Sequence, residues 1–230
     1  MYILQGIRPP LEARAGGAAA LRAEAYGLYA DGDISGASRA LLDDEDPEAL
    51  GMMERTVRAH LLAEAGSAEA GSWIERVRGA HAADAEVLEA LLLWRGGRRE
   101  EAAALLARAF GTCRRDPWAL PHLVERGLDL AVEMAEADAA KARILFDALG
   151  DPFAAFVLDE KRLTALVQIG CALGPEALST AIVPWEPHVP WEDAFLAERA
   201  EAYRRAGHPL ADRAERERAK FTRAARESGS

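Results

Sequence analysis

A repeated spacing of small residues constrains the fold of this 230-residue chain more than any other feature. In each copy an alanine is followed seven residues later by a glycine, and five residues after that by another small residue. Three copies keep the full spacing: Ala25, Gly32 and Ala37; Ala59, Gly66 and Gly71; Ala90, Gly97 and Ala102. A fourth copy, formed by Ala200, Gly207 and Ala211, is one residue short in its second half.

This spacing is typical of two antiparallel helices joined by a tight turn. Small side chains are needed where the two backbones approach, and a glycine at the turn adopts the left-handed conformation that ends the first helix. A large apolar residue follows the first small residue by three positions in every copy: Leu28, Leu62, Leu93 and Tyr203. Others follow the second small residue by four positions, at Leu41 and Leu106. Glu215 breaks the pattern in the last copy, so we expect an irregular or capping final hairpin.

Further turn signals divide the rest of the chain. Glu136 to Asp138 and the pair Gly174 and Pro175 give turns at 137 and 174, in addition to those at 32, 66, 97 and 207. Neighbouring turns are 31 to 40 residues apart, so six hairpins account for nearly the whole chain. Because each hairpin alone leaves one apolar face uncovered, stacking of hairpins is the economical way to bury it.

Composition agrees with a helical fold. Half of the residues are hydrophobic, yet the runs of Val, Ile and Thr that an all-β or doubly wound α/β fold needs are missing. The formal net charge of −10 argues against a general nucleic-acid binder, which needs a basic surface to neutralise phosphates. No apolar run approaches the roughly 18 residues of a membrane span. The two cysteines, Cys113 and Cys171, form no metal-like cluster, and we expect a reduced, cytoplasmic chain.

Residues 25–37 and 88–102 resemble the core of a tetratricopeptide repeat, whose unit is about 34 residues long. Asp46-Pro47 and Asp116-Pro117 stand where such repeats usually carry the proline that opens the next unit, and both pairs have the pattern of a helix cap followed by a first-turn proline. The resemblance covers about two-thirds of the chain and departs from the family in residues 118–190. It implies an all-α fold, a right-handed α-solenoid of about six antiparallel helical hairpins. We expect an extended arm over residues 1–10, a single repeat domain over 11–227 and a flexible tail over 228–230.

In proteins similar to this family, the first helix of each hairpin lines a concave surface that binds an extended peptide or a partner helix. The groove candidates at such positions are Arg22, Glu24, Arg55, Arg58, Glu86 and Glu89. The chain has no asparagine and few lysines, so we do not expect the clamp that holds a C-terminal carboxylate in some members. The overall acidity favours a basic or neutral partner.

A proline-rich segment over residues 184–191 supplies a second set of candidates. Its three prolines forbid an α-helix and favour an extended, polyproline-like path. Trp185, His188 and Trp191 could form an aromatic contact surface for a partner. The favoured alternative is a connection that its tryptophans pin to the rest of the fold. For the tryptophans at 73, 94 and 118 we expect packing between repeats, and for residues 213–226 a solvated final helix.

The usual catalytic and nucleotide-binding motifs are missing from the sequence. It contains no phosphate-binding loop, no HExxH and no GxSxG. The five histidines are scattered, and the acidic run from Asp43 to Asp46 is better explained as a capped loop than as a metal site. We therefore expect no catalytic residue, no metal and no cofactor.

The functional expectation is a scaffold or adaptor that binds a protein or peptide and neither nucleic acid nor membrane. Two alternatives stay open: the regulatory helical-repeat portion of a larger bacterial enzyme, and a small all-helical enzyme. Strongly shifted titratable groups in a closed pocket would favour the enzyme, whereas an open groove would favour the other two.

Overall fold

The computed structural model describes residues 24–29, 33, 36–37 and 51–228. All regular structure in these residues is helical, which confirms the all-α prediction. The α-helices after residue 50 are α1 (Met52–Glu64), α2 (Ala70–Arg78), α3 (Ala82–Arg95), α4 (Arg99–Cys113), α5 (Pro121–Ala137), α6 (Ala139–Ala148), α7 (Asp159–Leu173), α8 (Pro175–Ile182), α9 (Asp193–Arg205) and α10 (Ala211–Ser228). Short 3₁₀ segments cover Phe156–Leu158 and Val183–Trp185, and residues 24–29 and 36–37 are also helical.

The chain divides into two compact units, with the boundary between Leu105 and Leu106 inside α4. In the first unit α1 packs against α2 and α3, and α2 packs against α3. In the second unit α5 packs against α6 and α7. Four other pairs also pack together in this unit: α6 with α7, α7 with α8, α8 with α9, and α9 with α10. Helices that follow each other in sequence are therefore neighbours in space in both units. The expected single domain over residues 11–227 stays a prediction.

Three of the predicted turn glycines end their helices in the same way. Gly66, Gly97 and Gly207 have φ angles of 65°, 77° and 64°, in the left-handed region that glycine enters without a steric penalty. The residue after each glycine donates its N–H to the carbonyl five residues earlier, at 2.9, 2.9 and 2.8 Å. This bond defines the Schellman motif. The turns predicted at 66, 97 and 207 are thus confirmed.

The large apolar residues of the repeat are the acceptors of these bonds. Leu62, Leu93 and Tyr203 lie two positions before the last residue of their helices, and their carbonyls accept the N–H that follows the glycine. The first copy has the same bond, from Asp33 N–H to Leu28 O at 2.8 Å, although Gly32 itself and Leu41 lie outside the described residues. The first alanine of each copy is buried, as the close approach of two helices requires.

The other two predicted turns are also confirmed, with different local chemistry. Helix α5 ends at Ala137, and the Asp138 carboxylate accepts the N–H groups of Ala140 and Lys141 at 2.8 and 3.3 Å, which caps α6. Gly174 has a φ of 107° and is followed by a proline at the first position of α8.

One predicted helix start is wrong. Asp116 and Pro117 do not open a helix, because α5 begins at Pro121. The Asp116 carboxylate instead accepts the N–H of Trp118 at 2.9 Å, and this side chain to backbone bond stabilises a turn. Pro121 takes the first helical position, where a missing N–H costs nothing. The pair Asp46 and Pro47 lies outside the described residues.

The tryptophan predictions are confirmed in part. Trp73 and Trp94 are 5% and 9% exposed and pack in the interior. Trp118 is 80% exposed, so the expected packing is wrong for this residue. The turn at Asp116 places Trp118 before α5 begins, outside the helical period that would direct it inward.

The final helix, α10, shows the irregularity that Glu215 predicts for the last copy of the repeat. Ala214 is fully buried while the neighbouring Glu215 is exposed, so the inward position has moved by one residue. Most of the later residues of α10 are exposed, as expected for a solvated helix. Helix α10 extends to Ser228, one residue into the predicted tail, and residues 229–230 lie outside the described part of the chain, as does the predicted arm over 1–10.

Candidate functional site

Four of the groove candidates lie on two helices that pack together. Arg55 and Arg58 are on α1, Glu86 and Glu89 are on α3, and all four are half-buried. Glu24 is exposed in the helical segment 24–29, and Arg22 lies outside the described residues.

Two of these side chains contact α2. The guanidinium carbon of Arg58 lies 4.6 Å from the ring centre of Trp73, a cation–π distance. Arg78 at the end of α2 donates to Glu89 at 2.7 Å. Burial acts to lower the pKa of Arg78, but its hydrogen bonds to Glu89 and Glu75 outweigh burial and raise that pKa. These contacts give Arg58 and Glu89 a role in holding α2 in place, and their role in binding a partner stays a prediction.

A polar cluster around the buried His60 joins the segment 24–29 to α1. The Tyr29 hydroxyl oxygen lies 2.5 Å from His60 Nδ1, and the two rings meet edge-on with centroids 5.5 Å apart. The second nitrogen of His60 lies 3.6 Å from Glu64 Oε1. Burial, followed by the charges of Asp84 and Glu64, raises the pKa of Tyr29. A neutral tyrosine that bonds a buried histidine stabilises the packing of neighbouring helices, and this tyrosine does not act as a base at neutral pH.

The proline-rich segment lies between α8 and α9. Its first residues form the 3₁₀ turn Val183–Trp185 rather than the extended path that the prolines favour, which corrects the prediction at this point. No α-helix forms between Val183 and Glu192, as predicted. The ring of Trp185 meets Phe195 of α9 edge-on at 5.7 Å, and that of Trp191 meets Phe221 of α10 at 6.1 Å.

These contacts agree with the favoured sequence interpretation, in which the tryptophans pin the connection. His188 is exposed, and Trp191 is 49% exposed. The structure therefore brings Trp185 and Trp191 against the last hairpin, formed by α9 and α10, and leaves His188 at the surface. Their role in binding a partner stays a prediction.

A buried ionic cluster fixes the same segment, and the sequence analysis did not identify it. Arg199 of α9 is fully buried. Its Nε donates to Glu186 Oε1 at 2.7 Å and its Nη1 donates to Glu217 Oε2 at 2.6 Å. The Tyr203 hydroxyl also donates to Glu186, at 3.2 Å. One guanidinium thus joins the proline-rich segment, α9 and α10.

The pKa shifts in this cluster follow from its contacts. Burial acts to raise the pKa of Glu217, but hydrogen bonds from Arg199 and Arg213 outweigh burial and lower that pKa. Burial and the charge of Glu186 raise the pKa of Tyr203 to about 12. Glu217 therefore stays charged and Tyr203 stays neutral at neutral pH. These paired groups stabilise the fold.

The second unit has a candidate interaction surface made of three strongly exposed apolar side chains. Trp118 is 80% exposed, Phe156 is 87% exposed and Val157 is 73% exposed. We call these three residues the aromatic edge. Sequence analysis missed this surface. The run of apolar residues 153–158 is a signal, but an apolar run alone does not distinguish a buried segment from an exposed one.

Contacts of residues 153 and 154 bring the segment of Phe156 and Val157 towards the connection that carries Trp118. The N–H of Ala154 donates to Cys113 O at 3.1 Å, and the rings of Phe153 and Phe110 lie 5.7 Å apart. Residues 153–158 therefore lie beside the connection from α4 to α5 that carries Trp118. The 3₁₀ segment Phe156–Leu158 packs on α5 and α7 through buried Leu158, which leaves its other side chains facing outward.

Within the described ranges, no group of three or more His, Cys, Asp or Glu side chains could hold a metal ion. The acidic run 43–46 lies outside those ranges. No helix among the described residues is long and apolar enough to cross a membrane. Comparison of this chain with protein-family models, with curated proteins and with solved structures finds no match.

Proposed function

We propose that this chain is a tetratricopeptide-like α-solenoid that acts as a non-catalytic adaptor and binds a partner protein. Two features support the repeat architecture. The same helix-ending hydrogen bond recurs at equivalent positions of four sequence copies. First helices also pack against the next first helices, α1 against α3 and α5 against α7, as stacked hairpins require.

The aromatic edge is the observation that carries the binding function. Scattered apolar side chains are normal on protein surfaces, but a tryptophan and a phenylalanine of one unit that are both more than three-quarters exposed favour an interaction site. Covering both rings would remove roughly 300 Å² of apolar surface from water, which contributes about 7 kcal/mol before the cost of association. A partner with an apolar recess would make use of that energy.

A variant series on the aromatic edge tests the adaptor function. The double variant Trp118→Ser with Phe156→Ser is immobilised beside the unchanged protein, and proteins retained from the native lysate are quantified by mass spectrometry. We expect the amount of the stoichiometric partner to fall at least tenfold in the double variant.

The matched control is Met53→Ser, which removes another exposed apolar side chain, 38% exposed, from the first unit. It is expected to retain the partner at the unchanged level. Equal retention by a correctly folded double variant would refute the role of the aromatic edge. If the unchanged protein retained no partner, the adaptor function itself would be wrong.

A further inference from the structure

A groove of about 260 Å³ lies between α7, α8 and α9. Its apolar lining comes from Pro175, Leu178 and Ala202. Its polar lining includes Cys171, Glu198, Glu201 and Arg205. Helices α7 and α8 approach closely beside it, because a Cβ at Gly170 would come within 3.1 Å of the Leu178 backbone.

Glu198 is held at the wall of this groove by a weak donor. The Cys171 thiol donates to Glu198 Oε1 at 3.0 Å, and in the described part of the chain this is the hydrogen bond that the carboxylate accepts. Burial, followed by the hydrogen bond and charge of Glu198, raises the pKa of Cys171 to about 12, so the thiol stays protonated. A thiol is a much weaker donor than a guanidinium or an ammonium group.

The neighbouring carboxylate is in a different situation. Glu201 accepts two hydrogen bonds from Arg204, the shorter at 2.6 Å, and these lower the pKa of Glu201. Glu201 is thus already paired with a cation on its own helix, whereas Glu198 faces the groove without one. The charge that the groove presents for pairing is that of Glu198.

We propose that this groove binds a single arginine or lysine side chain of a partner peptide. The aliphatic stem lies on Leu178 and Ala202, and the cationic head donates to Glu198. This inference rests on the proposed function and names the chemistry of the partner. The long stem of a basic residue suits an apolar lining that ends at a carboxylate. The net charge of −10 also attracts a cationic segment.

Arg205 limits the sequence that fits. It lies two turns along α9 from Glu198, about 10 Å at 1.5 Å per residue, and it lines the same groove. A second cation in the peptide would approach Arg205 and be repelled. The groove therefore prefers one basic residue with an apolar neighbour over a run of basic residues.

A selection from a random octapeptide library, acetylated and amidated at its ends, tests this proposal on the full chain. We expect the bound pool to be enriched in peptides with one Arg or Lys next to an apolar residue. The best peptide should bind Glu198→Gln at least tenfold more weakly and should lose binding when its arginine is replaced by neutral citrulline. The control Glu215→Gln removes an exposed carboxylate that does not line the groove, and it should bind as the unchanged protein does.

Thiol labelling locates the bound peptide independently. Cys113 is 1% exposed and Cys171 is exposed, so we expect N-ethylmaleimide to modify Cys171 before Cys113 in the folded chain. The reaction is run at pH 9, because the raised pKa of Cys171 leaves little of the reactive thiolate at neutral pH. The selected peptide should slow this modification at least fivefold, as measured by mass spectrometry. Labelling of Cys171 at an unchanged rate in the presence of saturating peptide would place the peptide elsewhere and overturn the proposal.

The proposal is also overturned if the bound pool shows no cationic preference, or if Glu198→Gln binds the selected peptide with unchanged affinity. Its failure can be told apart from failure of the adaptor function. If only the groove is wrong, the aromatic-edge variants still reduce retention of the partner. If only the aromatic edge is wrong, those variants retain the partner while peptide binding still depends on Glu198.

Discussion

Replacement of Arg199 by methionine gives the sharpest test of how the last hairpin is held together. Methionine fills much of the space of the arginine stem but leaves Glu186 without its cation. The Glu186 side chain is 12% exposed, so its charge would be stranded in a poorly solvated site. Removal of one partner from a buried ion pair costs about 3–5 kcal/mol. Glu217 is 24% exposed and keeps its bond to Arg213, so we expect the lower end, about 3 kcal/mol.

The pH dependence of this loss has a definite sign. In the unchanged protein Arg199 lowers the folded-state pKa of Glu217, so the resulting stability is present above the unfolded pKa and is lost as pH falls through the folded pKa. The Arg199→Met variant lacks this contribution from Arg199. The difference in stability between the two proteins should therefore shrink as the pH falls through the folded-state pKa of Glu217.

Urea unfolding followed by circular dichroism at pH 7 and pH 3 measures both effects. The double variant Arg199→Met with Glu186→Gln is the control, because it removes the unpaired charge and should recover part of the loss. A difference below about 1 kcal/mol at pH 7 would show that the ion cluster contributes little to holding the proline-rich segment, since it falls short of the cost of a broken buried pair. A loss that stays constant between pH 7 and pH 3 would refute the ion pair of Arg199 and Glu217 as a source of the pH dependence.

Three further predictions follow from local geometry. Gly97→Ala should lower the free energy of unfolding by about 1 kcal/mol, because a Cβ is disfavoured at a φ of 77° even though no other atom lies within 4 Å of that Cβ. The control Gly79→Ala, at a φ of −62°, should be neutral or slightly stabilising. Thermal unfolding measures both variants. Glu198→Gln should lower the pKa of Cys171 from about 12 and so speed its alkylation by N-ethylmaleimide at pH 9. The gain should be roughly threefold for each unit of pKa, because a less basic thiolate is more abundant but also less nucleophilic. An unchanged rate would mean that burial alone sets the reactivity. Asp138→Ala should lower the melting temperature at pH 7 by removing the cap of α6. The side-chain bond from Lys141 and the backbone bonds from Ala140 and Lys141 lower the pKa of Asp138. The stabilisation is therefore present above the unfolded pKa and is lost as pH falls through the folded pKa. An equal loss of melting temperature at pH 7 and pH 2 would contradict this prediction.

The helix-ending turns were predictable because they depend on a few adjacent residues. A glycine after an apolar helical stretch specifies the left-handed end at Gly66, Gly97 and Gly207, whatever the rest of the chain does. The same local logic failed at Asp116 and Pro117. Both a helix cap and a turn use an aspartate that accepts a nearby N–H, and the sequence does not say which of the two forms.

The candidate sites were less predictable from sequence. The groove positions were assigned from a family resemblance, and the structure shows that Arg58 and Glu89 also contact α2. The aromatic edge was missed because Trp118 looked like a helix-start residue that would pack inward. The groove beside Glu198 is formed by residues from three helices, and no spacing in the sequence brings Cys171 and Glu198 together.

The sequence by itself determined that the chain is helical and where most of its hairpins turn, because helix propensity, glycine conformation and capping act over a few residues. Tertiary structure alone decided that Arg199 is fully buried between two carboxylates while Trp118 faces solvent. Residue type alone predicts an exposed arginine and a largely buried tryptophan. Burial depends on which distant segments supply partners. Glu186 and Glu217 reach Arg199 from segments 13 and 18 residues away, whereas Trp118 precedes its helix on a turn that directs it away from the core.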